Sequence, residues 1–449
     1  MSKKILFLVL LIFITLTAWK QDSNAKTWPP GSKIPADSII AAIERGESII
    51  IDSCEIFGAL VRNGTWGRPD TIKSFIDIKH STFWDSVSFD FCYFMKDVTF
   101  FRDTFRNVEF YQVTFGGYAD FRGTAFGGNA DFREATFRGS ANFLQAMFRG
   151  DADFLGTRFG GEAYFRFTTF GGYADFRATR FGGEAYFDVA TFGGEAHFWL
   201  TKFDSTADFS WATFDETANF RMATFSGDAD FREAAFGGNA NFEGTKFGEK
   251  VDLSLVEFEN ITISWKQLKD RLICDPPVSY KLMKHFEENR QLDDADGVYL
   301  FLKKNETFEM KWYELTKYWG YLMWVTCGYG VQPFYTIFWS IGIILVLMLF
   351  YTKPNAIREI EKEFGHRRRR RKSRTVHKGL REKLYDAFCF SLQTFIIGVV
   401  PDWYPTEEFL IKFWKIKRIK FRTLSMIEGA LGWILLVLFV VTLTRKFIR

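Results

Sequence analysis

The chain is poor in the residues that carry most enzyme and metal chemistry. Its 449 residues include five Cys, five His and ten Pro. Five Cys rule out a disulfide framework, and none stands in a CxxC or Cys/His spacing suited to a metal. The His residues, at 80, 197, 285, 366 and 377, are scattered. No HExxH, P-loop, GxSxG or dinucleotide fingerprint occurs. The expectation is a protein that is not an enzyme and uses no cofactor. Excess charge is also missing, at +4 overall, but that total hides two opposed regions. Residues 101–260 hold 15 Lys and Arg against 24 Asp and Glu, whereas residues 353–449 hold 22 against 9.

Phe is abundant: 54 residues, beside 36 Gly. One residue in eight is more than ordinary core packing asks for, which points to a repeat. From Phe110 to Phe258 the period is 11. One series runs through Phe110, Phe121, Phe132 and Phe143 to Phe242, with Leu253 in register; a second runs from Phe115 and Phe126 to Phe258. Ala stands two residues before the first-series Phe from Ala119 to Ala240. Helices repeat near 3.6 and strands at 2, so neither alone gives this cadence. Short β-bridged sides joined by tight corners do, with the Phe and the Ala two before it on one inward face. Pairs such as Gly127-Gly128, Gly160-Gly161, Gly182-Gly183 and Gly193-Gly194 follow second-series Phe. They are expected to supply left-handed backbone at the corners.

Units such as Ala130-Asp131-Phe132-Arg133-Glu134 and Ala141-Asn142-Phe143-Leu144-Gln145 resemble the pentapeptide-repeat family over residues 83–258. The resemblance implies a right-handed quadrilateral β-helix. The extra residue in alternate units makes a coil of about 22 residues instead of 20, and roughly eight coils make a rod of about 38 Å. Phe132, Phe154, Phe176, Phe198, Phe220 and Phe242 would then stack as one interior ladder. Outside, Asp or Asn before many Phe and Arg after several read as a solvated face of mixed charge. Some members of the family are acidic rods that imitate DNA, but predicted export argues against that reading here and against a nucleic-acid partner.

Three stretches bear on membranes. Met1-Ser2-Lys3-Lys4 followed by an apolar run to about Ala18 reads as a signal peptide over 1–25, with an uncleaved anchor as the alternative. Two spans are expected at about 334–351 and 424–446. The loops 352–387 and 403–423 carry 13 and six Lys and Arg, including Arg367, Arg368, Arg369, Arg370 and Arg371. This bias puts both loops in the cytoplasm and the N-terminal part outside. A helix over Ile34–Arg45, with Ala36, Ile39, Ile40 and Ile43 inward, and irregular first coils fill residues 26–82. The repeat occupies 83–260. A helical connector over 261–318 follows, forming a hairpin, and aromatic residues from Phe308 to Trp324 suit an interfacial belt.

The module 319–449 resembles potassium-channel-type pore domains in outline: span, short apolar segment 388–401, span. Phe388 to Phe395 resembles their pore helix. Where such a family shows its filter, this chain has Thr394, then Ile397, Gly398, Val399, Val400, Pro401 and Asp402, without the required glycines. The string Thr326-Cys327-Gly328-Tyr329-Gly330 matches a filter, but it precedes the first span and reads as a Gly-rich elbow. Glu428 reads as a headgroup-level residue, or else as a carboxylate at a pore mouth.

Taken together, the expectation is a multi-pass cell-membrane protein with a right-handed quadrilateral β-helix, a helical hairpin and an α-helical two-span transmembrane module. Its expected partners are membrane lipid, further copies of itself in a homo-oligomer, and an extracytoplasmic protein or ligand on the solenoid, with ions as partners if the module conducts.

Overall fold

The computed structural model describes residues 25–353, 356–359, 379–398, 403–405 and 420–448. The expected signal segment before residue 25, the run Arg367–Arg371 and the segment Val399–Asp402 lie outside the described residues. The chain divides into two units, Met1–Val298 and Tyr299–Arg449.

In the first unit, residues 25–273 wind into a β-solenoid of about 11 turns with ~22 residues per coil. The eight coils expected over residues 83–258 are preceded by the irregular first coils expected over 26–82, which together make up the stack. Most coils contribute four short strands, as in Ala119–Asp120, Ala125–Phe126, Ala130–Asp131 and Thr136–Phe137. Each pairs in parallel with its counterpart one coil on: Ala119 with Ala141, Phe126 with Phe148, Ala130 with Ala152 and Phe137 with Phe159. Early coils are uneven, since Ile49 pairs with Ile76, Ile76 with Val98 and Val98 with Ala119.

The repeated Phe fill the interior. Along Phe132, Phe154, Phe176, Phe198, Phe220 and Phe242, successive rings lie 4.7–5.0 Å apart and within 4° of parallel. Three other ladders run alongside, represented by Phe143–Phe165, Phe137–Phe159 and Phe148–Phe170 at 4.9, 4.9 and 5.1 Å. The coil rise imposes this face-to-face stacking, which aromatic pairs do not prefer by themselves. The preferred edge contact is made between ladders instead: Phe132 meets Phe143 at 87° and Phe154 meets Phe165 at 86°. Between the rings, buried Thr157, Thr179, Thr201 and Thr245 hydroxyls donate to the carbonyls of Phe132, Phe154, Phe176 and Phe220 at 2.6–2.7 Å. Those bonds satisfy interior backbone acceptors that would otherwise be costly.

The corners correct the expected role of the glycine pairs. Left-handed backbone falls two residues after first-series Phe, at Glu134, Gln145, Phe167, Ala178, Val189, Leu200, Trp211, Met222 and Glu233, all with φ of 55–61°. The Gly-Gly pairs are not left-handed. A Cβ on Gly183 would stand 2.6 Å from the Gly161 carbonyl group, and one on Gly194 would stand 2.7 Å from the Gly172 carbonyl oxygen. These positions need a small residue because coils approach closely there. The left-handed corners use Gly only at some coils, such as Gly156 and Gly244. Val189 is the costliest occupant, being β-branched with φ 57°. Val189→Gly is expected to raise stability by about 0.5–1 kcal/mol, relief of left-handed strain outweighing the extra freedom of the unfolded chain. Denaturant midpoints of the two proteins check this.

The polar face also differs from a merely solvated one. Oδ1 of Asp131, Asp153, Asp175 and Asp230 accepts the backbone N–H two residues on at 2.9–3.0 Å. The Asp or Asn of the repeat therefore closes the turn. Asp120 and Asp175 are almost fully buried, with Arg122 and Arg177 clamped on them at 2.7 and 2.6 Å.

Asp103 is fully buried and accepts only the Ser81 N–H, at 2.7 Å, so burial pushes its carboxyl well above the usual range. The folded state then holds this proton more tightly than the unfolded chain does. Its contribution is fully present below the unfolded value of about 3.9 and is lost as pH rises toward the folded value. Asp103→Asn is therefore expected to stabilise the protein at pH 7 and to change little at pH 3. Urea midpoints at the two pH values test it.

The ends are covered by helices. At the N-terminal end, α1 (Ala36–Glu44) buries Ala36, Ile39, Ala42 and Ile43. Ala42 is inward where Ile40 was expected, and Ile40 is half-buried. At the other end lie α2 (Trp265–Leu268), α3 (Pro276–Glu288) and α4 (Leu292–Glu309), whose residue 298 closes the first unit. α3 starts from Asp275, with Ser279 buried near its start. The Trp265 N–H donates to Asp294 at 3.1 Å, tying α2 to α4. Cys54 and Cys92 are buried free thiols, and burial pushes Cys92 up to about 12.

Candidate functional site

The second unit holds α5 (Leu315–Cys327), α6 (Pro333–Tyr351), α7 (Leu380–Ile397) and α8 (Phe421–Ile448). α6 and α8 are long and apolar enough to cross a membrane. Between α5 and α6, Gly328, Tyr329 and Gly330 have φ of 53°, 52° and 84°, so the chain turns sharply before Pro333 opens the next helix. The filter-like string is thus an elbow. The Tyr329 hydroxyl donates to Thr307 Oγ1 at 2.7 Å, and Trp339 Nε1 donates to the Val325 carbonyl at 2.8 Å, which fixes α6 against α5.

α7 is longer than the expected pore helix and lies between α6 and α8. Near its start, Ala387 and Phe390 pack with Tyr351, Ala356 and Phe421. Farther on, Phe395 packs with Ile344 and Leu435, which sit within α6 and α8. The helix ends at Gly398, left-handed at φ 78°, whose N–H donates to the Thr394 carbonyl at 2.9 Å. Gly429 and Gly432 of α8 let it approach: a Cβ on Gly429 would stand 3.2 Å from the Gly398 Cα, and one on Gly432 would collide with the Phe395 carbonyl oxygen. At 1.5 Å per residue, α7 ends at Gly398 about 12 Å along α8 from Phe421, beside Gly429. The strand Trp403–Pro405 then pairs antiparallel with Ile357–Glu359, just beyond the end of α6. The chain between α6 and α8 therefore runs in along both helices, stops part-way, and returns to the end it started from. At the opposite end of α8, the Arg445 guanidinium stacks 3.8 Å from the Tyr299 ring centroid of α4.

A carboxylate sits where the three helices meet. Glu428 is fully buried. The Tyr351 hydroxyl donates to its Oε2 at 2.8 Å, and the Ser391 hydroxyl contacts its Oε1. Ser391 Oγ also lies 3.1 Å from the Ile344 carbonyl. One residue from each of α6, α7 and α8 is thereby joined in a buried polar cluster. Such a cluster fixes helix register when every group is satisfied.

Of the other expected pore residues, Thr394 is buried and its Oγ1 has no hydrogen-bond partner among the described residues. Gly398 lies against Gly429, while Ile397 is exposed. Val399, Val400, Pro401 and Asp402 fall outside the described residues. Tyr351 and Ser391 were not singled out from sequence. They lie 77 and 37 positions from Glu428, and no local spacing announces their convergence. Among the described residues, no group of His, Cys, Asp and Glu is placed to hold a metal ion.

Residues 121–169 and 212–261 match the family model for pentapeptide repeats. No curated protein and no solved structure matches the chain. Both matched stretches lie within the Phe-stacked coils and end before α2 begins. The solenoid of this chain is therefore a pentapeptide-repeat solenoid.

Proposed function

We propose that the chain is a non-enzymatic, membrane-anchored protein. Its pentapeptide-repeat coil is right-handed and four-sided, lies outside the cytoplasm, and serves binding, sensing or scaffolding. The two-span module anchors it and assembles as a homo-oligomer. The observation that carries the anchoring is the surface of α6 and α8. Phe334, Phe338, Val346 and Leu349 are exposed on one helix, and Met426, Ile434, Val437 and Val441 on the other. Water does not favour so much apolar helix surface, whereas lipid or neighbouring subunits cover it.

Two features support the sidedness. The basic loops 352–387 and 403–423 flank the end of the helix pair near Tyr351 and Phe421, and Arg445 meets Tyr299 at the other end. The positive-inside preference then assigns the loop end to the cytoplasm. The α7 segment enters from that side as a re-entrant helix. Its end, about 12 Å along α8, falls part-way through a ~30 Å hydrocarbon core.

A weakly selective channel is the second reading. It draws on the part-way end of α7 and the unpartnered Thr394 hydroxyl. Against it, Glu428 is engaged by Tyr351 and Ser391 instead of facing an axis. Alkaline carbonate extraction tests the anchor: the protein should stay in the membrane pellet, and release into the supernatant would remove that reading. Planar-bilayer recording of the purified chain separates the two readings. The anchor predicts silence, and unitary currents altered by Glu428→Gln would replace it with the channel.

A further inference from the structure

Near the C-terminal end of the solenoid, α3 lies beside one face of the coils and closes a groove of about 570 Å³. The groove is walled by amides: Asn219, Asn239, Asn241, Asn260, Asn289 and Gln291. Among the described residues, no Asp, Glu, Lys or Arg lines it, and Ile261 is the only aliphatic one in its wall. The amides stand in two registered rows. Asn219 pairs with Asn241 on adjacent coils, and Asn239 pairs with Asn260. One coil rise, about 4.8 Å, separates the members of each row.

Most of this hydrogen-bonding capacity is unused. Asn219 and Asn241 give their Oδ1 atoms to the backbone N–H groups of Arg221 and Glu243, at 3.1 and 2.9 Å. Their Nδ2 donors have no partner among the described residues. The side chains of Asn239, Asn260 and Gln291 have none either. His285 braces the far wall, with Nε2 2.7 Å from the Ile261 carbonyl. One coil toward the N-terminus, His197 continues the Asn219 row, and its ring lies 4.9 Å from that of Tyr173. The groove thus runs into a pair of rings on the same face.

We propose that this groove binds a neutral saccharide chain. The proposal names a ligand class for the binding role given to the solenoid and rests on that part of the proposed function; it does not depend on membrane sidedness. Uncharged amides that both donate and accept match hydroxyls, and their donors repeat once per coil, about the length of one sugar ring. Beside His197, tilted 49° to it, the Tyr173 ring offers an aromatic face on which the next sugar ring can stack. An extended peptide fits less well. The strands Ala218–Asn219 and Ala235–Asn241 are paired on both sides, and the outer edge of the last strand, Glu257–Thr262, is met by α3, where His285 contacts the Ile261 carbonyl. An acidic polymer finds no cation in the wall.

The test is calorimetric titration of the full chain in a detergent that carries no sugar. The probes are neutral tetrasaccharides of glucose, mannose and N-acetylglucosamine, with a tetra-uronic acid and a Gly-Ser octapeptide beside them. Saturable binding of at least one neutral tetrasaccharide is expected, weakened at least tenfold by the double variant Asn219→Asp, Asn241→Asp. That variant keeps the turn-closing acceptor, as Asp131, Asp153 and Asp175 do in neighbouring coils, so its melting temperature should match the parent's. Asn239→Ala, whose side chain has no bond to lose, should weaken binding as well. Absence of saturable binding to all three neutral saccharides, preference for the uronic acid or the peptide, or binding unchanged in the variants would overturn the proposal. Carbonate extraction would be unaffected by that failure, so the anchor is judged separately.

Discussion

Phe176→Ala is expected to destabilise the solenoid by about 3–5 kcal/mol, the range for emptying a large aromatic site in a core that cannot collapse. Phe176 is fully buried. It stacks on Phe154 and Phe198 at 4.9 and 5.0 Å and meets Phe165 and Phe187 edge-on at 5.5 and 5.3 Å. The paired backbone above and below holds the coil spacing, so neighbouring rings cannot close the gap. In a stack of repeats, stability is close to a sum of neighbour contacts, so the loss should appear first as local opening around coils 154–198. Phe167 provides the contrast: it lies in the same coils but is half-exposed. Phe167→Ala should cost less than about 1 kcal/mol. Denaturant unfolding of the full chain, followed by far-ultraviolet circular dichroism, measures both. Equal losses would mean that the ladders do not carry the core.

The second large effect is expected at Gly432→Leu. Any side chain there collides with the carbonyl oxygen of Phe395. The clash is with backbone, so rotamer changes cannot relieve it, and the cost should reach or exceed the upper part of the ~1–3 kcal/mol range for overpacking. The helix that yields should be α7, because it is the shorter of the two and leaves the bundle at Gly398. Separation from α8 would also break the Ser391 contact to Glu428. The half-buried Cys389 on α7 reports this: its thiol should react faster with maleimide in the variant. Gly342, which has open space around a Cβ, is the control. Gly342→Leu should leave the reaction rate unchanged. Equal rates for Gly432→Leu and the parent would mean that α7 is not held by α8.

The two predictions differ in how far sequence alone foreshadows them. The eleven-residue spacing of Phe is a local, repeated signal, and it leads from Phe132 to Phe154 and onward without knowledge of any long-range contact. The same regularity misleads at Gly182-Gly183. Glycine allows both left-handed backbone and close approach, and sequence cannot tell which property is used. The structure assigns the left-handed corner to residues such as Val189 and Trp211, which carry no glycine signal. The coils before residue 83 are legible only as irregular ones, for a related reason. Ile and Val replace Phe there, and the register from Ile49 to Ile76 to Val98 is uneven. In the second unit, hydropathy alone picks out the helices from 333 to 351 and 421 to 445. The environment of Glu428 is not legible in that way. Its burial is set by Tyr351 and Ser391 arriving from two other helices, and a lone carboxylate near the start of an apolar run looks the same whether it faces headgroups, a pore or a hydroxyl pair.

The account rests on coil and basic loops lying on opposite sides of one membrane. Thiol accessibility in sealed, right-side-out vesicles tests this most directly. Cys274 and Cys389 are first replaced by Ser, because both are partly exposed. A single new Cys is then placed at Ser226, which is exposed on the solenoid, or at Lys372, beside Arg371. A membrane-impermeant maleimide should label Ser226→Cys at once, and Lys372→Cys only after the vesicles are opened. Labelling of both from outside, or protection of both until the membrane is breached, would place them in one compartment and contradict the account.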